Sequence, residues 1–143
     1  MAKILNHPDV WGWVSDDNSP KDSVPILHQQ IIYLTEKTKR GVIRIDPLNS
    51  VACTVHFACL PSMWGKGHTF AKQAIKWGFT HTGYLKAQAF IPAYNPYITA
   101  LAEDVGFKHE GIMEESFLKD GKLHDQNVFG LTKKRYLEEL CHN

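Results

Sequence analysis

The stretch Pro61-Ser62-Met63-Trp64-Gly65-Lys66-Gly67-His68-Thr69 joins an apolar run, Val51 to Leu60, to a helically spaced one, Phe70 to Phe79. A glycine-bracketed turn between a strand and a helix aims unpaired backbone N–H groups, and the positive end of a helix dipole, at one small volume. That volume suits a phosphate or pyrophosphate. The two glycines let backbone approach a ligand closely, and Lys66 adds a cation. Two other phosphate motifs are excluded. No stretch supplies a glycine, four residues and Gly-Lys-Ser/Thr, and the third glycine of a dinucleotide fingerprint would fall at Phe70.

The remaining pattern surrounds this junction with short β-rich runs. Asp9 to Val14 reads as a short helix behind Pro8, and Ser15 to Pro25 as a polar surface loop. Gln29 to Thr35, Gly41 to Asp46 and Val51 to Leu60 read as an antiparallel meander, the last strand being the most apolar and central. Ala71, Ala74, Ile75 and Gly78 recur at helical spacing, and Gly83 closes that element. Tyr84 to Ile91 is then a strand parallel to Val51–Leu60, because a helix intervenes. Asn95-Pro96 opens a second helix as N-cap and first helical residue, and Gly106 ends it. Phe107 opens the next strand, and Gly111–Leu118, Asp120-Gly121 and Lys122–Leu131 form a hairpin with a strong turn signal. Thr132 to Leu140 is a terminal helix. The order β-β-β-α-β-α-β-β predicts one α/β domain, residues 1–143, with a mixed, mostly antiparallel sheet.

Composition narrows the function classes. A chain of 143 residues with 43% hydrophobic and 22% charged residues has the make-up of one globular domain. A net charge of +1 leaves no electrostatic footprint for nucleic acid or an anionic membrane. No apolar run reaches the length of a membrane span, and Met1–Trp13 has no signal-peptide core. Cys53, Cys59 and Cys141 form no Cys-x-x-Cys pair, and two of them fall in an apolar strand, so a reducing, cytoplasmic setting is expected. The eight histidines share no ligand spacing with Cys or a carboxylate, so no metal site is expected.

Taken together, the residues resemble the Gcn5-related N-acetyltransferases, the GNAT superfamily. In that family a strand leads into Pro-x-x-Arg-Gly-x-Gly-x-Gly/Ala and a helix; here the stretch is Pro61 to Thr69. A later strand, an Asn and a helix ending in Gly-Phe correspond to Asn95, Leu101, Gly106 and Phe107. The tail, Gly106–Gly111 through Asp120-Gly121 to Thr132, is similar to the subgroup acting on protein N-termini or polyamines. The resemblance spans roughly residues 29 to 136. It implies acetyl-coenzyme A as co-substrate and an amine acceptor that is a small molecule or a protein N-terminus; sheet edges in this architecture often pair, which would give a homodimer, while the oligomeric state stays open. It further implies that the amides of Trp64, Gly65, Lys66, Gly67, His68 and Thr69 hold the pyrophosphate. Phe57, Ala58 and Cys59 would pair with the pantetheine arm, where the central parallel strands splay, and Asn95 would hydrogen-bond it from the far wall.

Departures from the pattern are specific. Trp64 replaces Arg or Gln, Thr69 the final small residue, and Ala102 the Tyr that protonates the leaving thiolate in many members. Tyr94 or Tyr97 would then supply that acid. A backbone N–H near Ala58 or Cys59 would serve the oxyanion. His56 is the first candidate base. The simpler expectation for it is a hydrogen-bonded core histidine or a ring on the opposite face, because sequence does not set the register. Glu114, Glu115, His124 and Asp125 are rivals on the hairpin, with Asp125 alternatively a brace, and water-mediated deprotonation needs no dedicated residue. Cys59 reads as an inert buried thiol. Trp11, Trp13, Trp64 and Trp77 read as packing residues, with Trp64 alternatively at the mouth of the loop; Tyr94, Tyr97 and Phe117 would line the acceptor slot. The competing expectation is a binding or assembly module on the same fold, of the kind found among phage head-assembly-like proteins.

Overall fold

The computed structural model describes residues 2–10, 17 and 30–141. After a short helix α1 (Ala2–Leu5), the chain forms strands β1 (Ile32–Thr35), β2 (Gly41–Pro47) and β3 (Ala52–Cys59). A 3₁₀ turn at Pro61–Met63 leads into helix α2 (His68–His81), then β4 (Lys86–Pro92) and helix α3 (Pro96–Asp104). The hairpin β5 (Lys108–Lys119) and β6 (Lys122–Thr132) precedes a terminal helical segment, α4 (Lys133–Arg135), whose last turn widens to a π-helix at Tyr136–Leu140. The predicted element order holds. The first strand is shorter than the Gln29–Thr35 reading, since Gln30 lies in a turn and residue 29 is outside the described residues. Of the Asp9–Val14 helix only Asp9 and Val10 are described, and both are helical. Apart from residue 17, the Ser15–Pro25 loop is outside the described residues, as are Trp11 and Trp13.

Among the described residues, six strands share one sheet in the order β1-β2-β3-β4-β6-β5. Every neighbouring pair is antiparallel except β3 and β4, which are parallel as the intervening α2 demands. Strict alternation assigns the faces. Ile43 and Ile45 of β2 and Cys53, Val55, Phe57 and Cys59 of β3 join the main core under α2 and α3. Val42 and Ala58 point the other way and pack with Ile4 and Val10 in a smaller cluster.

Local chemistry sets the ends of the elements. Asn95 Oδ1 accepts from the Ile98 amide at 3.3 Å while Pro96 occupies the first helical position, so α3 starts where the sequence places it. At its end Gly106 takes φ +105°, and Phe107 N donates to Ala102 O at 2.9 Å, a Schellman-type closure. The Asp120-Gly121 turn has φ of +52° and +71°, the mirror-image turn that matches strand twist. Thr132 Oγ1 accepts from Arg135 N at 3.1 Å and caps the terminal segment. This segment returns to the core: a Cβ at Gly106 would lie 2.3 Å from Leu140 Cδ1. Gly106→Ala therefore meets a left-handed backbone and displaces the half-exposed Leu140 side chain, and a loss of about 1–3 kcal/mol is expected, most of it from the backbone. A lower urea midpoint at unchanged m-value checks it.

Candidate functional site

The sheet opens at its centre. β3 and β4 pair only at Ala52↔Lys86, Cys53↔Ala87 and Thr54↔Gln88. Beyond these positions β3 stays bonded to β2 as far as Gly41↔Cys59, and β4 to β6 as far as Pro92↔Gln126. The two strands therefore diverge with facing backbone edges, Val55–Cys59 and Ala89–Pro92. The base of the wedge is pinned where Leu85 N donates to Val51 O at 2.7 Å and Lys133 N to Leu85 O at 2.8 Å.

Two adjoining cavities fill the opening. The outer one, about 570 Å³, runs from Phe57, Ala58 and Cys59 past Trp64, Gly65 and Gly67 to Asn95 and Tyr97. The inner one, about 360 Å³, continues between the strands from His56 and Phe117 to Ala102 and Val105. Phe57, Asn95, Ile98 and Leu101 wall both.

The glycine loop stands at the outer mouth. Trp64 N donates to Pro61 O at 3.0 Å and Lys66 N to Met63 O at 2.8 Å, so these two amides close the turn. Of the six amides expected to face a ligand, those of Gly65, Gly67, His68 and Thr69 remain open, as does that of Phe70. None of these five donates to a group among the described residues, the three helical ones because they precede the first i→i−4 bond. Gly65 has φ +73° with open space where a Cβ would stand. Gly67 is small for a different reason: a Cβ there would lie 2.8 Å from Phe57 Cζ. Trp64 is half-exposed at the mouth rather than packed in the core, while Trp77 is half-buried and stacks on His81. Lys66 and Thr69 are exposed beside the free amides. His68 Nδ1 lies 3.0 Å from Asp104 Oδ2, joining the start of α2 to the end of α3 across the outer cavity.

Asn95 is buried between the cavities. Its Oδ1 is engaged as helix cap, while its Nδ2 finds no acceptor among the described residues. Tyr97 projects into solvent at the outer mouth, not in the inner slot. Tyr94 walls neither cavity; its ring packs on Phe117 and edge-on to His124, at 6.0 and 5.0 Å between centroids. Ala102, at the expected tyrosine position, is buried in the wall of the inner cavity. Phe117 does line the inner slot.

His56 points away from the helices, on the face shared with Arg44 and Asp46, yet reaches the inner cavity. Arg44 is its cross-strand partner and forms a bidentate ion pair with Asp46. His56 Nε2 lies 3.7 Å from Asp46 Oδ2. Burial and then the Arg44 cation push the imidazole below its ordinary range, and Asp46 partly offsets them. Half of the ring's surface stays accessible, which moderates the burial effect. Sequence reading missed Arg44 and Asp46 because their approach to His56 depends on the β2–β3 register. Alternating charges at Arg44 and Asp46 in an apolar strand were the available signal.

The hairpin rivals have other tasks. Asp125 Oδ1 accepts from Glu115 N at 2.8 Å across a bulge where Glu115 takes φ +47°, so Asp125 is the brace. Glu114 and Glu115 are exposed, and His124 packs on Tyr94. Asp17, unremarked in the sequence, accepts from the Asp120 and Gly121 amides at 2.7 and 2.8 Å and so sits against the hairpin tip. Among the described residues, no group of three or more His, Cys, Asp or Glu side chains is placed to hold a metal ion, and no helix is long and apolar enough to cross a membrane.

Known proteins share this architecture. No family model matches the chain. The spermidine N(1)-acetyltransferase of Vibrio cholerae serotype O1 is 26% identical over 106 residues, 71% of this chain. The chain spans about 61% of the length of that relative. Among solved structures, a chimera of the spermidine N-acetyltransferase SpeG from Vibrio cholerae with hSSAT superposes with a TM-score of 0.66 at 23% identity. That match covers 73% of this chain and 67% of the other. A probable acetyltransferase superposes with a TM-score of 0.62 at 20% identity, covering 68% and 57%. The fold is that of the Gcn5-related N-acetyltransferases. These relatives give no support to a phage origin.

Burial raises the thiols of Cys53 and Cys59 to about 11, whereas Cys141 is exposed. At pH 8 a disulfide reagent is therefore expected to titrate one thiol per native chain and all three in denaturant. Rapid native titration of a second thiol would place Cys59 at an open, reactive position.

Proposed function

We propose that this chain is an acetyl-coenzyme A-dependent N-acetyltransferase that acylates a primary amine, either a polyamine or a protein N-terminus. The observation that carries the reading is the juxtaposition at the sheet's opening. Free amides at the start of α2 stand at the mouth of a cleft whose walls are two unpaired strand edges. A pyrophosphate suits the first, and the two amide groups of a pantetheine arm suit the second. Asn95 Nδ2 faces the same cleft as a spare donor. The similarity to spermidine N-acetyltransferases supports a polyamine acceptor.

The reaction this arrangement serves is direct transfer. The amine nitrogen attacks the thioester carbonyl, the C–N bond forms, the C–S bond breaks, and the amine's surplus proton passes to the departing thiolate. His56 is the group placed to accept a proton at the inner cavity. Its depressed titration keeps the ring neutral at pH 7, and the Asp46 carboxylate partly stabilises the charged form. The unfolded chain binds the His56 proton more readily than the folded one. Its contribution to stability is therefore present above the ordinary histidine range and lost as pH falls through the depressed value. Tyr97 is the phenol on the outer cavity, and acid donation there falls to it or to water.

Three measurements test this reading. Acetyl-coenzyme A at 100-fold over its Kd is expected to stabilise the fold by about 2.7 kcal/mol. No thermal shift at millimolar ligand would count decisively against the cleft as its site. His56→Gln is expected to lower kcat/KM for spermidine about 10²-fold or more, within the range for losing a general base, while the thermal shift persists. In the wild type the acid limb of the pH–rate profile should lie below about 6.5, the direction set by burial and Arg44. A limb above that value removes His56 as the base.

A second reading is favoured by Ala102 standing where many such enzymes carry their acid. It is a cofactor-binding module without transferase activity. Free-thiol release with a panel of amines separates the two: ligand stabilisation without thiol release selects the module.

A further inference from the structure

The inner cavity extends well beyond the space an acetyl group needs, and its two ends differ in chemistry. At the hairpin end stand His56, Phe117 and Gln126. At the helix end the wall is Ile45, Ala71, Ala74, Leu101, Ala102 and Val105, all of the main core, with no charged side chain among them. Three of those six are alanines, contributed by both helices, so the floor is set back from the strand edges. An apolar cavity of about 150 Å³ stays dry and takes a molecule the size of benzene. The present one is about 360 Å³ and joins the outer cleft through Phe57, Asn95, Ile98 and Leu101.

We infer that the helix end of the inner cavity is an acyl-chain pocket, and that the preferred donor is a coenzyme A thioester with an unbranched acyl group of about four to six carbons. This rests on the reading of the outer cleft as a coenzyme A site. A thioester carbonyl lying between the diverging strands has the apolar floor on one side and His56 on the other. The chain then leads away toward Ala102 and Val105 while the amine arrives past Phe117. The transfer balances as for acetyl: C–N forms, C–S breaks, and the proton released by the amine ends on the thiol. Each buried methylene is worth about 0.8 kcal/mol, or roughly fourfold in affinity. Two further methylenes, from acetyl to butyryl, should therefore give about tenfold or more.

Free coenzyme A and its acetyl, butyryl and hexanoyl thioesters, titrated calorimetrically into the full chain, test the inference, with thiol release measured on spermidine. The expected result is affinity rising from acetyl to butyryl by about tenfold, with kcat/KM following it. In Ala102→Leu the butyryl-to-acetyl ratio should fall at least tenfold, because the leucine fills the floor. If that variant does not fold, the wild-type series decides alone. Coenzyme A and acetyl-coenzyme A binding as well as the longer thioesters overturns the acyl pocket and leaves the outer cleft assigned. Failure of every member, free coenzyme A included, overturns the cleft reading and the pocket with it.

Discussion

The loss of pairing between β3 and β4 after Thr54 and Gln88 sets the position of the cleft and its two cavities. A sheet interior does not tolerate backbone N–H and C=O groups without partners, and most folds close such a gap. Here neither strand can close it, because each is held along its full length by a neighbour on its other side. β2 secures β3 to Cys59, and β6 secures β4 to Pro92. The opening is thus a consequence of two good sheets meeting at three residue pairs. A ligand bearing spaced amides can satisfy the bare edges as a strand would. The glycine loop and the first turn of α2 follow directly from the end of β3, so the free amides are delivered to the same opening by chain connectivity.

Much of this was legible in the sequence, and the reason is local. The Asn95-Pro96 cap, the Gly106 stop, the Asp120-Gly121 turn and the strand–glycine–helix junction each depend on residues within one turn of one another. Their geometry appears as the residues demand. What stayed hidden depends on register or on the interior of a loop. That Trp64 and Lys66 direct their amides to Pro61 and Met63 requires the 3₁₀ turn at Pro61–Met63, which the sequence leaves open. The His56 environment requires knowing that Arg44 lies opposite it and Asp46 beyond, a fact about β2–β3 pairing. Gly67 illustrates a reason that differs from the expected one. It reads as a site for close ligand approach, yet its first constraint is the Phe57 ring.

The two faces of the sheet divide the chemistry between them. Strand alternation sends Ile43, Ile45, Val55 and Phe57 toward the helices, and Arg44, Asp46 and His56 to the opposite side. Because β3 and β4 diverge, a single cavity passes from one face to the other and meets both environments. On the helix side the surroundings are apolar, which suits the carbon skeleton of a donor. On the other side a cation, a carboxylate and an imidazole stand within reach of solvent, which suits proton movement and an incoming amine. A continuous sheet would keep these environments about a sheet thickness apart with no passage. In the proposed reaction the thioester carbonyl would sit at their boundary. The boundary is also where Ala102 matters: a larger side chain on α3 would reach toward the strand edges from the helix side. With alanine there, the helix layer contributes space instead of a functional group, and the polar side chains nearest the cavity are on the strand face around His56.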